Sequence, residues 1–229
     1  MKKKKVFIAC DTNNIKVIRN IISKTNNSEL DIGYKFGLEF FFSKHGRKFI
    51  SRLRNQKIFL DLKLNDIPNT CVSAIKSLKD LKNINYLTVH ISGGYKMLKA
   101  VKKESKKINK KMKILGVSIL TSLNNDSVRK IGHTRSVKDL VRKQAAIAKA
   151  AGLNGIVCSG HEAKLIKNIC KNMEIVTPGI RLKGDSVSDQ KRVMTPKEAF
   201  ANGSNAIVIG RSITSGNIKN NIQKLIKSL

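Results

Sequence analysis

The run IFLDLKLNDIPNT at residues 58–70 sets Asp61, Lys63 and Asp66 into otherwise apolar sequence. A charge taken out of water is costly unless a specific partner compensates it. Read as a strand, the run puts Asp61 and Lys63 on one face and Leu60, Leu62 and Leu64 on the other. With Lys35 as a fourth member, these groups form an alternating carboxylate–ammonium array. An ammonium flanked by carboxylates stays protonated, so a lysine held this way is an acid that can hand its proton to a carbanion. That chemistry is proton transfer or decarboxylation, not hydride or metal chemistry. A salt-bridged strand end is the plain alternative.

An array of this kind needs a scaffold that brings distant segments to one place. Eight β-like runs recur, each followed by a helix-like stretch: residues 5–11, 30–37, 57–64, 86–92, 113–121, 155–160, 174–181 and 206–214. Their near-continuous apolar character predicts parallel strands buried on both faces. Ser136 is placed to cap a helix that Gly152 stops. Thr195-Pro196-Lys197-Glu198 reads as a capping box with proline at the first helical position. The pattern predicts one domain over residues 1–229, an α/β fold of the (β/α)8 TIM-barrel kind. A doubly wound open sheet is the other candidate. It usually carries G-x-G-x-x-G after its first strand, and ACDTNN stands there instead.

In such a barrel the active site lies at the C-terminal ends of the strands. The residues expected there are Asp11, Lys35, Asp61, Lys63, Asp66, His90, Ser92, Thr121, Ser122, Arg181, Gly210 and Arg211. The opposite ends are expected to carry ordinary loop residues. Ser92-Gly93-Gly94 and Ile209-Gly210-Arg211 read as phosphate-binding turns, with Arg211 offering a bidentate fork; simple turns are the alternative. The polar segment 182–192 has the length of a lid over a substrate, or of a surface loop.

Composition narrows the function classes. The net charge of +31 could serve nucleic acid, yet the lysines are spread over nearly every segment, and Trp is absent. The charge therefore reads as solvated helix faces that also draw in anionic substrates, with no nucleic-acid partner. No run of about 18 apolar residues predicts a membrane span. Five apolar residues, Val6 to Cys10, are too short for an export signal. Cysteines 10, 71, 158 and 170 form no C-x-x-C pair, which fits a reduced, cytoplasmic protein without metal.

The run D-L-K-x-x-D-I-P-N-T at 61–70 resembles the signature of the orotidine 5′-phosphate decarboxylase family, its bacterial branch in particular. The likeness extends through ACD at 9–11, YKFGLEFF at 34–41, VHISGG at 89–94, ILTS at 119–122 and VCSGHEA at 157–163. It continues through TPGIR at 177–181, the D-Q-K-R and M-T-P run at 189–196, and VIGRSIT at 208–214. Two substitutions depart from the common pattern, ACD for ALD and YKFG for LKVG, and both spare the polar positions. The resemblance implies conversion of orotidine 5′-phosphate to UMP and CO2, the last step of UMP synthesis, without cofactor or metal. It implies that Lys63 protonates C6, that Asp61 meets the departing carboxylate and that Lys35 bridges to it and the ribose. Asp11 would bind a ribose hydroxyl, and Thr121 with Ser122 would line the pyrimidine pocket. Arg181, Gln190, Gly210 and Arg211 would grip the 5′-phosphate. Asp66, Ile67 and Thr70 would reach the site of a second copy, making a homodimer with shared active sites. A magnesium-dependent sugar-phosphate decarboxylase or aldolase relative on the same barrel, and a basic nucleic-acid binder, are the rival readings.

Overall fold

The strands in the computed structural model are β1 (Lys5–Ala9), β2 (Asp31–Phe36), β3 (Lys57–Leu64), β4 (Ile84–His90), β5 (Lys113–Val117), β6 (Gly155–Val157), β7 (Glu174–Ile180) and β8 (Ala206–Ile209). Residues 3–26, 29–185 and 192–229 are described. Every neighbouring pair is parallel, and β8 returns to pair with β1, Lys5 opposite Ala206, so the sheet closes in the order β1 to β8. The predicted barrel is the observed one.

Burial explains why these runs form strands. In β1 every residue from Val6 to Ala9 is buried, because alternate side chains face two different apolar environments. Phe7, Phe59 and Tyr86 fill the barrel interior, with the Phe7 ring 5.1 Å from Phe59 and 5.0 Å from Tyr86 in edge-on contact. Val6, Ile8, Ile58, Leu60 and Leu87 face the other way, into the layer beneath the helices. Ser136 caps the helix Val137–Ala150 by accepting from the Asp139 N–H, and Gly152 ends it at φ 72°. The capping box at Thr195 and Glu198 is also present. Among the described residues no helix is long and apolar enough to cross a membrane. All four cysteines are buried and free.

Several strands stop earlier than their apolar runs suggest. β8 ends at Ile209, and residues 211–214 of the expected strand are a helical turn, Arg211–Thr214. β6 ends at Val157, since Ser159 already caps the helix Gly160–Ile169. Apolar character persists past the strand ends because the barrel mouth is itself partly apolar; hydrophobicity alone does not mark where hydrogen bonding to the neighbouring strand ceases.

The N-terminal end of the barrel corrects a second expectation, for it holds charge as well. Glu174 is ion-paired to Lys5 and, at 2.8 Å, to Lys113, and the Tyr86 hydroxyl lies 3.1 Å from it. Burial pushes the Glu174 carboxyl up, but hydrogen bonds from Lys113 and Lys5 outweigh this and leave it below the ordinary value of 4.5. Glu174→Gln is expected to lose about 1–3 kcal/mol, since it leaves two lysines and a tyrosine at a closed barrel end without their anion. The folded carboxyl is the stronger acid, so its contribution is present above pH 4.5 and fades as pH falls through its folded value. Melting temperatures of the variant and the parent chain, separated at neutral pH, should converge in acid.

Candidate active site

The site begins with a distortion in β3. Leu60 pairs with Leu87 and Leu64 with Val89, so residues 61–63 stand opposite Thr88 alone. Such a bulge re-aims the side chains that it carries. Lys63 adopts φ 49°, the one left-handed non-glycine residue among those described, a conformation that costs roughly 1–2 kcal/mol for a residue with a Cβ. Simple alternation therefore brought Asp61 and Lys63 together by the wrong route: the strand is irregular where the two meet. The Thr88 hydroxyl stabilises the bulge, accepting from the Lys63 backbone N–H at 2.9 Å and donating to Asp61 Oδ1 at 2.9 Å.

Around that bulge the charges form a continuous chain. Lys63 Nζ lies 2.8 Å from Asp61 Oδ2, and Lys35 Nζ lies 3.6 Å from the same oxygen. Lys35 also donates to Asp11 Oδ1 at 2.8 Å. For Lys35, burial favours the neutral amine, but the carboxylates of Asp61 and Asp11 together reverse this, and the net shift is upward. For Asp61, burial favours the neutral acid; Lys35, Lys63 and the Thr88 hydrogen bond overcome it, and the carboxyl is a stronger acid than usual. Both groups are thus held charged at neutral pH.

These side chains form one wall of a cavity of about 700 Å³ at the C-terminal mouth. Its floor is apolar, built from Ala9, Phe59, Val117, Val157 and Val208. Thr121 and Ser122 reach it from the segment after β5, and Gly210 and Arg211 from that after β8. Arg181 follows a second bulge: Thr177 pairs with Ile207 and Ile180 with Ile209, leaving Pro178 and Gly179 opposite Val208. Gly179 takes φ 74° there, which only glycine does readily. The arrangement joins an apolar slot with a cationic rim and a fixed acid–base array, which suits a small, flat anion.

Some expected residues lie elsewhere. Asp66, Ile67 and Thr70 are exposed and do not line the cavity; Asp66 instead accepts from the Ile67 N–H at 2.7 Å. Ser92-Gly93-Gly94 falls outside the cavity too, which removes it as a phosphate turn of this site; the Ser92 hydroxyl faces Asn65 Oδ1 at 3.4 Å. His90 does not line it either. Gln190 lies outside the described residues.

Two features escaped sequence reasoning. Thr88 is a hydroxyl inside the apolar run YLTVHIS, and only the bulge gives it a task. Arg192 is ion-paired to Glu162, which is buried, and reaches the carbonyls of Ile119 and Leu120 at 3.4 and 3.3 Å. It ties the segments after β5, β6 and β7 together just behind Thr121. Burial pushes the Glu162 carboxyl up, against the pull of Arg192. Both residues lie in stretches that carry the family resemblance, VCSGHEA and D-Q-K-R, but their meeting is a tertiary event.

The barrel defines a (β/α)8 enzyme, and the cavity at the C-terminal ends of its strands is the candidate active site. Residues 4–224 match the family described as orotidine 5′-phosphate decarboxylase / HUMPS. The orotidine 5′-phosphate decarboxylase of Wolbachia pipientis subsp. Culex pipiens is 42% identical over 231 residues, covering 98% of each chain. That of Coxiella burnetii is 40% identical over 217 residues, 92% of this chain and 89% of the relative. The crystal structure of the Lactobacillus acidophilus enzyme of that name superposes with a TM-score of 0.84 at 34% identity, covering 99% of both chains. The chain belongs to the orotidine 5′-phosphate decarboxylase / HUMPS family.

Proposed function

We propose that this chain decarboxylates orotidine 5′-phosphate to UMP and CO2, closing UMP synthesis, with no metal or cofactor and with Lys63 as the proton donor. The observation that carries the reading is the unbroken Asp11–Lys35–Asp61–Lys63 ion chain along one wall of the cavity. Close relatives bearing the decarboxylase name over nearly their full length support it.

In the proposed step the bond from C6 to the carboxylate breaks, its electron pair stays on C6, and CO2 departs. No attached group readily delocalises that pair. The Lys63 ammonium, fixed by Asp61, stabilises the developing charge without solvent reorganisation and then transfers its proton to C6. Asp61 lies against the departing carboxylate, Lys35 bridges Asp61 and the ribose, and Asp11 takes a ribose hydroxyl. Thr121 and Ser122 recognise the pyrimidine. Arg181, Gln190, Gly210 and Arg211 hold the phosphate, whose binding energy orients the reacting end. In this reading Asp66, Ile67 and Thr70, which face outward, complete the site of a second copy in a homodimer. The setting is the cytoplasm, and nucleic acid is not a partner.

The magnesium-dependent alternative is disfavoured by the donor set itself. A cation held by Asp11 and Asp61 would compete with Lys35 at Asp11 Oδ1, with both lysines at Asp61 Oδ2 and with the Thr88 hydroxyl at Asp61 Oδ1. The test is the ultraviolet absorbance of orotidine 5′-phosphate mixed with the protein in EDTA. Loss of the orotate band supports the proposal; an unchanged spectrum, or loss only with added magnesium, overturns it. Arg211→Ala should raise KM by roughly 10- to 100-fold with a smaller change in kcat, the weight of a charge-assisted contact to phosphate. Steady-state kinetics check this, and unaltered constants would remove Arg211 from the site.

A further inference from the structure

We propose that Thr88 is a positioning residue for the reaction, its one hydroxyl fixing both the bulged backbone of Lys63 and the carboxylate of Asp61. The inference rests on the decarboxylase reading of that pair. Thr88 stands two residues beyond Tyr86 in β4, fully buried, on the side of the strand that faces the barrel interior. A hydroxyl at such a place is costly unless it is satisfied. Here both of its capacities are used, one lone pair by the Lys63 N–H and the proton by Asp61 Oδ1.

The two bonds act on different parts of the array. The first holds the backbone at φ 49°, a conformation that a lysine adopts only where surrounding contacts impose it. It therefore sets the point from which the Lys63 side chain departs. The second uses the Asp61 oxygen that the lysines do not, leaving Oδ2 to lie 2.8 Å from Lys63 and 3.6 Å from Lys35. Without the hydroxyl, the bulge loses its tie and the carboxylate can rotate. A shift of about 1 Å in a reacting group is worth roughly a hundredfold in rate. Threonine suits the task because its branched Cβ keeps χ1 stiff. Valine keeps that shape without the oxygen, and serine keeps the oxygen without the methyl.

The experiment compares the parent chain, Thr88→Val and Thr88→Ser on orotidine 5′-phosphate, reading kcat, KM and the pH profile. Turnover by the parent tests the decarboxylase reading alone; the variants test Thr88. Thr88→Val should lower kcat by roughly 10- to 100-fold, the weight of a hydrogen bond to a charged group, with KM little changed. Thr88→Ser should stay within a few-fold of the parent. The groups facing Asp61 are Lys35 from β2, Lys63 from β3, and Thr88 and His90 from β4, with Asp11 beyond Lys35. The hydroxyl favours the ionised carboxylate, so its loss should move the acid limb of the kcat profile to higher pH in Thr88→Val and not in Thr88→Ser. If an active parent is matched by Thr88→Val in rate and profile, or if Thr88→Ser falls as far as Thr88→Val, the proposal is overturned. Should Thr88→Val not fold, Thr88→Ala set against Thr88→Ser decides: a tenfold or greater gap supports it, and equal rates overturn it.

Discussion

Replacing Lys63 with alanine is expected to reduce kcat by at least about ten-thousand-fold, because the change removes the proposed proton donor and the fixed positive charge together. The protein should remain folded. Asp61 keeps Thr88 at 2.9 Å and Lys35 at 3.6 Å, so no buried carboxylate is stranded. Alanine bears the same left-handed backbone that lysine does, so the bulge is no more strained than before. Binding of UMP should be nearly preserved, since the residues proposed to hold the phosphate, Arg181, Gly210 and Arg211, are left unchanged. Single-turnover kinetics with a circular-dichroism melt check the result. A variant with a tenth of the parent activity would strip Lys63 of its role.

Asp61→Asn is expected to cost nearly as much, roughly a thousandfold or more in kcat/KM, by a different route. Among the described residues Asp61 is the one carboxylate ion-paired to both ammoniums, and an amide leaves them to repel each other across the array. Lys35 would relax toward Asp11, its remaining anion at 2.8 Å. Lys63 would have no charged partner among the described residues and would swing into the cavity water. An asparagine variant that retained activity would mean that the reaction does not need a negative charge at this position. Steady-state assays across pH 5 to 9 are the check, because Asp61 in the parent chain is ionised throughout that range.

Much of this was legible in the residues, for reasons that differ from place to place. Strands buried on both faces leave long apolar runs, so all eight could be counted and the barrel inferred. Their ends could not be read, as β8 shows: Ile213 is as buried in the turn after the strand as Ile207 is within it. The polar residues of the mouth were visible because Asp61, Lys63 and Lys35 interrupt apolar sequence, which proteins rarely do without compensation. Thr88 and the Glu162–Arg192 pair were not visible. A threonine is at home in any strand, and an ion pair between segments 30 residues apart leaves no local pattern. The Glu174 cluster was missed likewise, because its lysines open their strands and look like ordinary surface charge. The bulge at residues 61–63 was hidden for a subtler reason, since alternation and distortion both bring Asp61 to Lys63.

The central claim is that this cavity releases CO2 from C6 and returns a proton there without a metal ion. It is tested most directly by turnover of orotidine 5′-phosphate in D2O containing EDTA, followed by proton NMR of the pyrimidine with parallel trapping of CO2. The account predicts one CO2 for each UMP formed and a deuterium at C6, with the H6 resonance missing from the product. Intact substrate, or UMP formed only after a divalent cation is restored, would contradict it.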